Sequence, residues 1–214
     1  GIAGMLGSGR TELLNAIFGS GPLDSGEIII DGEHVTRPAI NKMKAHGMAL
    51  TPENRKTEGL VQCLSVAENL CSASLRNSPG EFVSKSEERN KVEKQISDLM
   101  IKVSDVRAPV SSLSGGNQQK VILGNWLNTA PKLLLLDEPS RGIDVNAKQQ
   151  IFEIVWQQAR QGCSSIIVSS ELEELLETCH RILIIRQGRL CGEIYPEQVN
   201  VEQLYSLCMK GMDP

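Results

Sequence analysis

The sequence predicts an α/β fold built on a mostly parallel sheet with helices on both faces. Three observations point to it. Leu133 to Leu136 is an unbroken apolar run within a predicted strand, Lys132 to Leu136; such a run suits a strand covered on both sides. From Ala147 onward, strand-like and helix-like segments alternate, as parallel strands joined by helical crossovers require. Near the start, a glycine-rich loop, Gly4 to Thr11, opens straight into a helical segment, the layout of a phosphate-binding turn.

The elements follow in order. Glu12 to Phe18 reads as a helix, closed by Gly19-Ser20-Gly21-Pro22, because glycine and proline stop helices. Glu27 to Ile30 reads as a short strand entering the turn Asp31-Gly32. Ile40 to His46 reads as helical and Met48 to Thr51 as a short buried strand. From Ser65 to about Val106 the chain is polar, rich in Glu, Lys and Ser, and mostly helical. It reads as an inserted helical subdomain, 65–112, with a mobile break at Ser78-Pro79-Gly80. Ser114-Gly115-Gly116 opens a helix running to about Asn128. Beyond the leucine strand come a helix from Ala147 to Arg160, a strand from Ser164 to Ser169 and a helix from Glu171 to Thr178. A strand from Arg181 to Arg186 then turns at Gln187-Gly188 into Leu190 to Tyr195. Val201 to Met212 reads as a short amphipathic helix with no assigned chemistry. A P-loop normally follows a complete strand, and only Gly1-Ile2-Ala3 precedes this one. The chain therefore reads as a fragment whose upstream strands lie outside it.

The 214 residues suffice for one sizeable domain. Hydrophobic residues make up 40% and charged residues 22%, with a net charge of -4, an ordinary globular balance. The sequence holds no Lys/Arg run of the kind that forms a nucleic-acid footprint; the densest charge cluster, Lys85 to Lys94, has mixed signs and reads as a solvated helix face. No apolar stretch approaches the roughly 20 residues that span a bilayer. The six cysteines, Cys63, Cys71, Cys163, Cys179, Cys191 and Cys208, are scattered without a C-x-x-C pair and read as reduced thiols rather than a metal site or disulfide framework.

Gly4-Met5-Leu6-Gly7-Ser8-Gly9-Arg10-Thr11 matches G-x-x-x-x-G-K-[ST] except that Arg10 stands in the lysine's place. The glycines let several N–H groups converge on phosphates, the following helix start adds its positive end, and Thr11 supplies a hydroxyl for Mg²⁺. Gly4, Gly7, Ser8, Gly9, Arg10, Thr11 and Glu12 are thus candidate ATP-binding residues. Arg10 is not a conservative exchange: lysine is a compact point charge, arginine a longer planar fork. Losing one well-placed electrostatic contact costs about 10²–10³ in rate, so slowed turnover is expected. At the other end of the leucine strand, Asp137 is placed to hold Mg²⁺, and Glu138 to orient or deprotonate the attacking water.

Leu113-Ser114-Gly115-Gly116-Asn117-Gln118-Gln119-Lys120 resembles the ABC ATPase signature L-S-G-G-Q, with Asn inserted before the Gln. Like the P-loop, it is an exposed helix start suited to an anion. With Gly4 to Glu12, the stretch Thr51 to Lys56 followed by Glu58-Gly59-Leu60, Asp137 to Val145, and Ser169 to Leu172, the chain is similar to the second, C-terminal nucleotide-binding half of bacterial monosaccharide importer ATPases of the ribose, galactose and xylose group. The fold this implies is a P-loop NTPase of the ABC ATPase kind: one nucleotide-binding domain over 1–214 with a parallel-sheet core, the inserted helical subdomain and a partial, N-terminally truncated antiparallel β subdomain. The resemblance also implies that Ser114, Gly115, Gly116 and Gln118 contact the nucleotide of a partner domain, that Asp144 belongs to the nucleotide site, and that the adenine-stacking aromatic lies upstream of the P-loop. Glu53 stands where ABC domains carry a Gln, and Ser170 where they carry a His. Glu53 adds negative charge near the nucleotide, although it could ligate Mg²⁺, and serine has no imidazole chemistry.

The resemblance implies ATP and Mg²⁺ as cofactors and a second ABC nucleotide-binding domain as partner, the N-terminal half of the same polypeptide. It implies further an integral-membrane sugar permease and, indirectly, a periplasmic sugar-binding protein. It implies no nucleic acid, and a peripheral position on the cytoplasmic face of the bacterial inner membrane. Two alternatives stay open: a degenerate regulatory half that mainly lends its signature, and a soluble ABC ATPase of DNA repair or translation.

Overall fold

Val168 has a strand on either side of it. In the computed structural model, which describes residues 1–77 and 84–210, six strands form one sheet in the order β4-β5-β6-β1-β7-β8. They are β1 (Ile2–Ala3), β4 (Met48–Thr51), β5 (Leu133–Asp137), β6 (Ser164–Val168), β7 (Ile182–Arg186) and β8 (Arg189–Ile194). β5 runs parallel to β6, with Asp137 opposite Val168, and β1 runs parallel to both β6 and β7, with Ile2 opposite Val168 and Leu183. β8 pairs antiparallel with β7 at the end of this sheet. The sequence reading placed strands at these positions except β1, a strand of two residues that no periodicity can reveal. A separate hairpin joins β2 (Ile28–Ile30) to β3 (Glu33–Val35); β3 was not expected, because Glu33-His34-Val35 has one apolar residue.

The chain divides into two compact units. The first takes Gly1–Leu50, Leu133–Pro139 and Ser164–Pro214, and so holds the sheet. Its described helices are α1 (Arg10–Phe18), α2 (Ile40–Ala45), α7 (Leu172–Thr178) and α8 (Val201–Lys210). Leu134, Leu135 and Leu136 are fully buried, as are Ile182 and Ile184. Burying each such side chain is worth roughly 1.5–3 kcal/mol, which is why the leucine run forms a central strand. α8 ends at Lys210 among the described residues; the expected end at Met212 lies outside them.

The second unit takes Thr51–Lys132 and Ser140–Cys163. It holds α3 (Val66–Cys71), α4 (Lys85–Asp98), α5 (Gly115–Leu127) and α6 (Val145–Arg160). The expected break at Ser78-Pro79-Gly80 lies outside the described residues. A capping box starts α3: the Ser65 hydroxyl accepts from the Glu68 N–H while the Glu68 carboxylate accepts from the Ser65 N–H. Hydrogen bonds to that carboxylate from the Ser65 hydroxyl and then the Ser65 N–H hold its pKa below the usual range. Asn69, buried, donates to the Val61, Leu64 and Ser65 carbonyls and accepts from the Val61 N–H, tying the preceding loop to the helix. Gly124 lets α5 close on α3, since a Cβ there would lie 2.8 Å from Leu70 Cδ2.

Truncating Leu135 to Ala opens a cavity in the middle of the sheet. The Leu135→Ala chain should lose about 2–5 kcal/mol of stability, read as a lower urea midpoint with an unchanged slope.

Candidate nucleotide site

The phosphate loop leaves β1 and is shaped by its glycines. A Cβ on Gly4 would lie 2.4 Å from the Ile185 carbonyl oxygen and 2.5 Å from Ser8 Oγ, so no larger residue fits. Gly7 and Gly9 have φ of 77° and 97°, a region that side chains disfavour. The loop is tied by the Ser8 N–H to the Met5 carbonyl at 3.0 Å and by the Gly188 N–H, from the β7–β8 turn, to the Ser8 carbonyl at 2.8 Å. Gly9 caps α1 without a side-chain hydrogen bond, so the first N–H groups of that helix are left for an acceptor of another kind. Ser8 Oγ is buried and has no hydrogen-bond partner among the described residues. An orphaned hydroxyl, a cradle without room for a Cβ and an uncapped helix start together fit a phosphate group.

Thr11 is half-buried and Glu12 exposed in the first turn of α1. Asp137 ends β5 with only 2% of its surface exposed. Glu138 follows with φ 48°, an unusual backbone for glutamate that costs on the order of 1–3 kcal/mol and concentrates at functional sites. Its N–H is held by the Val168 carbonyl at 2.9 Å.

Two serines after β6 complete the site. The Ser170 N–H and hydroxyl both donate to Glu138 Oε2, each at 3.0 Å. Ser169 donates its hydroxyl to Glu174 Oε2 at 2.7 Å and accepts from the Glu171 N–H at 3.0 Å. Arg10 lies inward: its Nη1 donates to the Ser169 carbonyl at 2.9 Å and its Nη2 sits 3.5 Å from Glu138 Oε1. Thus Arg10, Glu138 and Ser170 come together. Sequence reasoning missed the Ser169–Glu174 bond, because Glu174, buried in the structure, stands in the sequence among the other acids Glu171, Glu173 and Glu177. Burial raises the pKa of the Cys208 thiol on α8, against the pull of Arg10.

The remaining candidates lie in the second unit. Ser114 is the N-cap residue of α5, and its hydroxyl accepts from Asn117 Nδ2 at 3.0 Å rather than from the helix backbone. A Cβ on Gly115 would meet Arg55 Nη2 at 2.8 Å, and one on Gly116 would meet Ala147 Cβ at 2.4 Å; packing demands glycine at 116, while at 115 the arginine tip would have to shift. Gln118 is buried and donates to the Val110 and Leu113 carbonyls at 3.3 and 3.2 Å, supporting the loop from beneath. Asp144 caps α6 by accepting from the Ala147 N–H at 2.9 Å. Glu53 forms an ion pair with Arg141. Arg55 donates to the Arg141 carbonyl at 2.5 Å and to the Gly142 carbonyl at 3.1 Å.

A phosphate loop on a mostly parallel sheet, with paired acids at the end of β5, one strand removed from β1, is the layout of a P-loop nucleotide-binding domain. Residues 1–141 match the family described as ABC transporter, and the chain belongs to that family. It is 40% identical over 213 residues to a ribose import ATP-binding protein of Oceanobacillus iheyensis, covering 99% of this chain and 43% of that protein. It is 42% identical over 212 residues to a xylose import ATP-binding protein of Moorella thermoacetica, covering 99% of this chain and 42% of that protein. The chain therefore spans about two fifths of the length of these curated relatives. Among solved structures, a nucleotide-free ATP-binding cassette from an ABC transporter superposes with a TM-score of 0.80 at 22% identity, covering 96% of this chain and 83% of that one. A dimeric cassette bound to ADP and Pi matches with a TM-score of 0.78 at 21% identity, covering 91% and 84%. At these identities the likeness establishes the fold.

The two kinds of glycine constraint give a direct contrast. Gly4→Ala, which drives a methyl into a backbone carbonyl, should cost about 1–3 kcal/mol. Gly7→Ala has open space around it and should cost about 1 kcal/mol from its backbone alone. Urea denaturation of both variants reads the difference.

Proposed function

We propose that this chain is an ATP-binding and ATP-hydrolysing part of an ABC importer for a monosaccharide, coupling ATP turnover to sugar transport. The observation that carries the proposal is the site itself: a phosphate cradle at Gly4 to Thr11 and a held carboxylate at Glu138 within one compact unit. Similarity to ribose and xylose import ATP-binding proteins supplies the sugar class.

The chemistry assigns a role to each residue. Backbone N–H groups of the loop and of the start of α1 bind the phosphates of ATP. The Thr11 hydroxyl and the Asp137 carboxylate would hold Mg²⁺, which when bound neutralises phosphate charge. Glu138 orients a water and accepts its proton as the oxygen attacks the γ-phosphorus and the bond to ADP breaks. Ser170 holds Glu138 in place for that step. Ser114, Gly115 and Gly116 present the start of α5 to the nucleotide of a second ABC nucleotide-binding domain, with Gln118 and Asp144 supporting that surface and Glu53 neutralised by Arg141. In this reading the second domain is the N-terminal half of the same polypeptide, and the pair drives an integral-membrane sugar permease fed by a periplasmic binding protein. The assembly would sit on the cytoplasmic face of the bacterial inner membrane. Among the described residues no helix is long and apolar enough to cross a membrane. Turnover at this site is expected to be slow, given serine in place of an imidazole at position 170.

Glu138→Gln should leave Mg-ATP binding within a few-fold of the unsubstituted chain and cut turnover by about 10²-fold or more. Fluorescent-nucleotide titration beside a phosphate-release assay checks both. Unchanged turnover would remove Glu138 from the mechanism.

A further inference from the structure

Arg10 occupies the position from which a P-loop cation would reach phosphate, yet its guanidinium is engaged elsewhere. Nη1 donates to the Ser169 carbonyl at 2.9 Å, and Nη2 lies 3.5 Å from Glu138 Oε1. The side chain is 6% exposed and that of Glu138 is 9% exposed. A carboxylate so deeply placed needs a counter-charge, and Arg10 is the cation that contacts it. The other oxygen, Oε2, takes both donors of Ser170. The carboxylate is therefore gripped from two sides, one by charge and one by hydrogen bonds.

The two unusual residues of this site explain each other. The forked guanidinium bonds a backbone carbonyl with one nitrogen and faces a carboxylate with the other; lysine's ammonium is a single point on a shorter reach. A serine at position 170 is small and brings a hydroxyl that reaches Oε2 alongside its own N–H. We propose that Arg10 is a positioning residue for Glu138, not a phosphate ligand, and that Arg10 and Ser170 form one paired device that aims the carboxylate while the loop backbone alone binds the phosphates. This inference rests on the nucleotide-site reading given above. Arg10 touches Glu138 rather than the reacting atoms, so its removal acts on turnover through the glutamate.

The test separates affinity from turnover and adds a measurement that needs no nucleotide. Arg10→Gln, which removes the charge, should change the Mg-ATP dissociation constant by less than about 3-fold while lowering turnover by about 10-fold or more. Arg10→Lys, which keeps the charge, should recover part of that turnover. In the nucleotide-free chain, urea midpoints of Arg10→Gln, Glu138→Gln and the double variant should be non-additive, because the two groups are in contact. Additive midpoints, or a loss of affinity of about 10-fold or more with turnover of the bound nucleotide intact, would overturn the proposal. If the unsubstituted chain binds no Mg-ATP, the nucleotide-site reading fails, and Arg10's role in turnover with it. That failure is told apart from the others because it appears without any substitution at Arg10.

Discussion

The backbone pairing at Val168 is the constraint on which the site depends. Its place in β6 puts Asp137 of β5 on one side and Ile2 of β1 on the other. Its carbonyl also holds the N–H of Glu138 at 2.9 Å. In one stroke this brings the end of the leucine strand, the root of the phosphate loop and the start of the Ser169-Ser170 segment to the same edge. Side chains point to alternate faces of a strand, so a one-residue slip of β6 would turn every one of its residues over. The apolar run from Leu134 to Leu136 is fully buried, which holds β5 within the sheet beside β6. Packing in the core thus sets where the acids stand.

Much of this was legible in the sequence, and for a definable reason. Gly4, Gly7 and Gly9 answer to backbone geometry and Leu133 to Leu136 to burial; each is a local demand written in a few adjacent residues. The helix start at Ser114 was readable for the same reason, whereas α6 begins at Val145, capped by Asp144, two residues before the expected Ala147. What escaped was either too short or too distant. β1 has two residues and is a strand only because β6 and β7 flank it. β3 shows no alternation and forms only by pairing with β2. The expectation that Arg10 faces phosphate came from its place in a motif; its partners, Ser169 and Glu138, stand more than a hundred residues away in the chain and become neighbours only through the sheet.

The second unit shows how a segment that looks like a ligand motif is also a packing motif. Gly115 and Gly116 leave room for Arg55 and Ala147, Gln118 spends its amide on two carbonyls of its own loop, and Lys120 is buried with its ammonium donating to the Met100 carbonyl at 3.1 Å. Burial lowers the pKa of that ammonium below the usual lysine range. Such interior polar bonds stabilise only modestly in net terms, but they are costly to leave unmade. They therefore define the shape of the loop more than they add to its stability.

The two-residue strand β1 also carries a kinetic consequence. Its partners, Val168 and Leu183, emerge from the ribosome long after Ile2 does; at synthesis rates of about 5–20 residues per second the wait is on the order of ten seconds or more. Until then the phosphate loop has no strand to leave and no β7–β8 turn to tie its Ser8 carbonyl. Pairings of such high sequence separation form slowly, since loop closure must precede any reward. The helical segments, whose contacts are more local, can condense first. The nucleotide pocket is accordingly among the last parts of the molecule to take shape, and a nascent chain cannot engage its ligand before its sheet is closed.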